Sequence, residues 1–115
     1  MTRSEYQQVT VRNSYLYLLK QKTQIHLSNI ILLEAKVNYT NIYLRNGKVM
    51  MIAKTLKSLD RILETHRFYR IHRAFLINGN HLQSYDSDSG EVLLTNNHRA
   101  ITSRRRKLSF EGLIK

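Results

Sequence analysis

Cysteine is missing from the 115 residues, and with it go disulfides, thiolate zinc sites and thiol nucleophiles. Its absence fits a reducing cytoplasm, where the chain is expected to act. Proline is also absent and glycine occurs four times, so no stretch reads as a flexible or proline-rich linker. No run approaches the roughly 18–20 apolar residues of a membrane-spanning helix. The first residues, Met1 to Gln8, are polar and lack the apolar core of a secretion signal. No internal repeat marks a solenoid. Acidic residues are scarce: eight, against nineteen lysines and arginines.

That scarcity bears on catalysis. Only Asp86 and Asp88 stand close together, in a polar turn, whereas a metal-dependent nuclease needs clustered carboxylates. The five histidines (His26, His66, His72, His81 and His98) show neither H-x₃-H nor HExxH spacing. A histidine metal site assembled only by the fold is the remaining alternative. GxSxG, P-loop and GxGxxG motifs do not occur. The expectation is a non-catalytic protein with no cofactor, metal or small-molecule substrate.

What the chain has is apolar residues enough for one core and a strong positive field. Its hydrophobic fraction of 42% is too high for a disordered basic tail. Its length fits a single domain over residues 1–115. A formal charge of +11 repels itself and so calls for a polyanion, of which nucleic acid is the commonest. Charge alone leaves DNA, RNA, anionic lipid and a plain solubility role open.

The patterning is mostly of strand type. Gln8–Asn13 puts Val9 and Val11 on one face, and Ser14–Lys20 is a second strand rich in aromatic and aliphatic residues. Ile25–Leu27 is a short piece ended by Ser28-Asn29. Ile30–Ala35 is a continuous apolar run, expected to be buried on both faces. Tyr39–Arg45 alternates Thr40, Ile42 and Leu44 against Tyr39, Asn41, Tyr43 and Arg45. Asn46-Gly47 then leads into Lys48–Ala53, which predicts a hairpin with a type I′ turn. Thr55 caps a helix in which Leu56, Leu59, Ile62 and Leu63 form the inner face, with Lys57, Asp60, Arg61 and Glu64 outside. From Phe68 no clean period survives, suggesting a turn of helix or an irregular segment entering a strand. Leu82–Tyr85 and Glu91–Leu94 flank a hairpin loop at residues 86–90, and Asn96-Asn97 turns into Arg99–Thr102. Ser103–Lys115 reads as a closing helix with Phe110, Leu113 and Ile114 inward.

Three groups carry the candidate chemistry. Ser103-Arg104-Arg105-Arg106-Lys107 opens the last helix with four cations, where the helix dipole already disfavours positive charge. A bound phosphate would reverse that penalty; a solvated charge run is the plain alternative. Arg67, Arg70, His72 and Arg73 interleave with Phe68, Tyr69, Ile71 and Phe75. Arg70 and His72 read equally well as structural, paired to nearby carbonyls or carboxylates. Lys36-Val37-Asn38-Tyr39 leads out of a buried strand; Asn38 either holds a turn or pairs with adenine, as arginine pairs with guanine.

In this order the groups resemble the LytTR domain, found at the C-terminus of many bacterial response regulators. The matching stretches are IILLEAKVNYTNIYLRNGK, TLKSLDRIL, FYRIHRAFLINGNHL, GEVLLTNN and ITSRRRKL, clearest over residues 25–107. The resemblance implies a mainly β fold with two short helices, in an elongated arrangement of small antiparallel sheets. It implies sequence-specific binding of double-stranded promoter DNA by a transcription regulator of the two-component type, with loops entering successive major grooves. Carried over by position, Asn38, Arg73 and Arg105 would contact bases, while Lys36, Tyr39, Arg70, Arg104 and Lys107 would hold the DNA backbone or support the readers. Direct-repeat half-sites and a homodimer formed on DNA belong to the same expectation. Nothing ahead of Tyr15 is long enough for the receiver domain of a response regulator, so a stand-alone regulator and a part of a longer one both stay open and phosphorylation-driven dimerisation is not assumed.

Two other readings compete. Tyr39, Tyr43 and neighbouring aromatics could form stacking platforms for RNA. Alternatively the basic surface could dock an acidic or membrane-bound partner, although no basic amphipathic helix rich in large apolar residues supports lipid insertion. No membrane association is expected.

Overall fold

The first four residues of Ile30–Ala35 (β4) are apolar because the strand is covered on both sides there. Ile30, Ile31, Leu32 and Leu33 are all buried, and a bulge at Ile31 distributes them between two separate cores. In the computed structural model, residues 9–18 and 22–114 are described, so Gln8, Leu19, Lys20 and Lys115 of the expected segments lie outside them.

β4 is the middle of a five-stranded antiparallel sheet. Its companions are β5 (Thr40–Leu44), β6 (Val49–Ile52), β7 (Phe68–His72) and β8 (Phe75–Asn78), in the order β6-β5-β4-β8-β7. Ahead of it, β1 (Val9–Arg12), β2 (Tyr15–Leu18) and β3 (Thr23–His26) form one small sheet. After it, β9 (Leu82–Tyr85), β10 (Glu91–Leu94) and β11 (Arg99–Ile101) form another, ordered β11-β10-β9. Helix α1 (Leu56–Leu63) and the first sheet cover one face of the central sheet, through Leu16, Leu18, Leu59 and Leu63. Helix α2 (Arg104–Ile114) and the last sheet cover the other, through Val92, Leu94 and Phe110. The resulting body measures 47 × 28 × 26 Å, a mainly β fold of small antiparallel sheets with two helices, as expected. Among the described residues no helix is long and apolar enough to cross a membrane.

Three local expectations need correction. Asn46 does not take positive φ, while Gly47 does at +89°, so the turn is not type I′. The Gly47 amide donates to the Leu44 carbonyl (3.0 Å) and Leu44 to Lys48 (2.9 Å), closing a three-residue loop with its left-handed position at glycine. The stretch from Phe68 is a regular hairpin, β7–β8. Its period is hidden because the sheet is buried on both faces and a bulge separates Arg70 from His72: Phe68 and Leu76 enter one core, Ile71 and Ile77 the other. In α2, Phe110 is buried and Ile114 packs beside it, but Leu113 is 59% exposed. Leu113 sits about 60° to one side of Phe110 around the helix and Ile114 about 40° to the other, and the core closes on the Ile114 side.

Candidate nucleic-acid interface

The register of the central sheet brings two of its hairpin tips to one end. Between β4 and β5, the Lys36 amide donates to the Tyr39 carbonyl at 2.8 Å, which leaves Val37 and Asn38 as the hairpin tip. Between β7 and β8, His72 stands opposite Phe75, so Arg73 and Ala74 form a second tip. The two tips are adjacent: the Ala35 amide donates to the Ala74 carbonyl at 2.9 Å. β6 runs beside β5 with Ile52 opposite Thr40, so the passage into α1 leaves from the same end. There the Thr40 hydroxyl donates to the Lys54 carbonyl at 2.6 Å, and Thr55 caps α1 by accepting from the Ser58 amide at 3.1 Å.

These pieces line an open groove of about 460 Å³, bounded by Lys36, Asn38, Lys54, Lys57, Arg70 and Arg73. None of the residues lining it is acidic. The third basic group joins from the side. The Ser103 amide donates to the Ile71 carbonyl at 2.8 Å, which docks the start of α2 onto β7. Arg104 and Arg105 are exposed there, while Arg106 and Lys107 are half-buried. Among the described residues, Arg73, Arg104, Arg105 and Lys107 form no ion pair. These four cations are left uncompensated among the described residues.

Arg70 sits under the junction. Its Nε donates to the His72 carbonyl at 2.9 Å and its Nη2 to the Arg73 carbonyl at 2.6 Å. Asp60 of α1 is only at 4.0 Å. Burial, then Arg106, push the Arg70 guanidinium below its ordinary pKa, and Asp60 only partly opposes them. Burial likewise raises the Asp60 carboxyl, with Arg70 pulling the other way. The carbonyl bonds, rather than that long ion pair, are what hold Arg70. His72 is a staple as well, since its Nδ1 accepts from the Ala74 amide at 3.0 Å.

The residues singled out from sequence therefore differ in availability. Asn38 and Arg73 are exposed on the two tips, and Arg104 and Arg105 are exposed at the start of α2. Lys36 is turned toward Glu34 at 3.3 Å, so its charge is partly answered within the chain. Tyr39 keeps an exposed ring, but Tyr43 does not serve as a platform: its hydroxyl donates to Glu34 at 2.7 Å and its ring lies 5.1 Å from that of His98. Sequence reasoning missed Lys54 and Lys57 as groove residues and Arg106 as the neighbour of Arg70. The signal was available, because neither α1 nor α2 has an acidic residue in its first turn, where the dipole would favour one. Among the described residues no group of three or more His, Asp or Glu is arranged to hold a metal ion.

A family model described as the LytTr DNA-binding domain matches residues 20–115. Among solved structures, the LytTr DNA-binding domain of a Bacillus cereus protein, titled a methyl-accepting/DNA response regulator, is similar over 92% of this chain and 94% of that one. The TM-score is 0.72 at 22% sequence identity, a likeness of fold. No curated protein matches the chain.

Proposed function

The chain belongs to the LytTR family of DNA-binding domains, and on that premise we propose that it binds double-stranded promoter DNA sequence-specifically, as the DNA-reading part of a bacterial transcription regulator. In this reading the two hairpin tips and the start of α2 enter successive major grooves. Asn38, Arg73 and Arg105 read bases; Arg104 and Lys107, joined by Lys54 and Lys57, neutralise phosphates; Tyr39 and Lys36 assist at the first tip. Arg70 supports Arg73 without touching DNA. The protein acts by binding, and two copies side by side would read direct-repeat half-sites.

The observation that carries the reading is the convergence at a single end of the central sheet of one amide side chain and several cations, most of them without an ion pair among the described residues. Phosphate neutralisation gives affinity that falls with salt, by about 0.9 log unit per contact per tenfold increase. Exposed arginine and asparagine beside those cations add base discrimination, which charge alone cannot. A competition between duplex DNA and single-stranded RNA tests the choice of nucleic acid. Duplex preference supports the reading, and preference for RNA across many sequences contradicts it.

A further inference from the structure

Val37 is 96% exposed, the most exposed large apolar side chain among the described residues. It occupies a two-residue hairpin tip, a place that favours glycine, asparagine, aspartate, serine or proline. Neither Val37 nor Asn38 takes positive φ, so valine is tolerated there but gains no burial. Its neighbours Lys36 and Asn38 are polar, and an isolated side chain is too small for a protein interface. A β-branched side chain nevertheless presents its two methyl groups in a nearly fixed orientation. In a major groove the matching apolar feature is the C5-methyl of thymine.

We propose that Val37 is a specificity-determining residue that packs against a thymine methyl group next to the base read by Asn38. The proposal rests on the DNA-binding reading above and extends it to a base pair met by a side chain that cannot hydrogen-bond. Adenine opposite that thymine need not be touched. Selection at this base pair comes from apolar contact alone.

The test begins with a motif selected from random duplexes by the wild-type protein. Duplexes carrying that motif are then made with uracil in place of thymine, one position at a time, and with every cytosine unmethylated. Uracil removes only the methyl group. Wild-type protein should bind about fourfold more weakly at one such position, the effect of losing one buried methyl. Val37→Ala should bind the thymine and uracil duplexes equally there, while Arg73→Ala, on the other tip, keeps the preference. Val37 buries nothing, so Val37→Ala should melt with the wild type. Indifference of the wild type to uracil at every position, or an unchanged preference in Val37→Ala, overturns the proposal and leaves specific DNA binding standing. Recovery of no motif overturns the DNA-binding reading itself, and this proposal with it.

Discussion

Arg70 donates from Nη2 to the main-chain carbonyl of Arg73 at 2.6 Å, so the exposed arginine at the second tip is held through its backbone by an arginine three residues earlier. The second bond, from Nε to His72, fixes the fork in place. Arg70→Ala should cost about 1–3 kcal/mol of stability, because charge-assisted bonds to two carbonyls disappear. It should also weaken DNA binding although Arg73 is retained. Arg70→Lys should recover only part of either loss, since an ammonium cannot span both carbonyls. Denaturant unfolding alongside binding isotherms checks this; a fully restored Arg70→Lys would remove the geometric argument.

Arg73→Ala and Arg105→Ala should each lower discrimination at a different position of the site, by about 1–3 kcal/mol. Lys107→Ala and Lys57→Ala should instead weaken all duplexes alike and make the salt dependence shallower, by about 0.9 in log–log slope. Titrations on matched and mismatched duplexes at several salt concentrations separate the classes. Wild-type affinity in Arg105→Ala would show the base-reading assignment to be wrong.

Phe110→Ala should destabilise the fold by about 3–5 kcal/mol, the usual cost of emptying a buried aromatic position. Leu113→Ala should change stability by no more than about 0.5 kcal/mol, as surface substitutions do. The contrast, read from thermal melts, checks which way the last turn of α2 faces.

That contrast marks how far the sequence can be read. Strict alternation placed Thr40, Ile42 and Leu44 correctly, and Thr55 with its spaced leucines located α1, because both periods are local. Leu113 could not be placed locally, since what covers a helix depends on a sheet formed elsewhere. The β7–β8 hairpin was hidden for a related reason: a strand buried on both faces, with a bulge, loses its period of two. The basic groups were visible as runs of cations. Their convergence depends on the long-range bonds from Ala35 to Ala74 and from Ser103 to Ile71, which no local pattern encodes.

Gly47→Ala meets no atom within 4 Å, so its penalty comes from the backbone alone. At φ +89° that penalty should be about 1–2 kcal/mol. The loop lies at the end of β5 opposite the two tips, so DNA affinity measured well below the melting temperature should be unchanged.

Asp60→Asn should change the pH profile of stability in a defined sense. The folded-state pKa of Asp60 is raised, mainly by burial, so its ionisation opposes folding. Wild-type stability should therefore fall relative to Asp60→Asn as pH rises from the unfolded-state pKa through the raised folded one, and the difference should level off above it. Paired unfolding curves across acidic to neutral pH measure that difference. A wild type that gained stability over the variant along this path would mean the Arg70 contact outweighs desolvation.

The most direct test of the account is selection of bound duplexes from a random-sequence pool at near-physiological salt, run in parallel with wild type and Arg105→Ala. Enrichment of a short motif, present as a direct repeat and degraded at one position by Arg105→Ala, is the predicted result. Recovery of random duplexes by both proteins, with affinity that responds only to salt, would contradict sequence-specific reading by this surface.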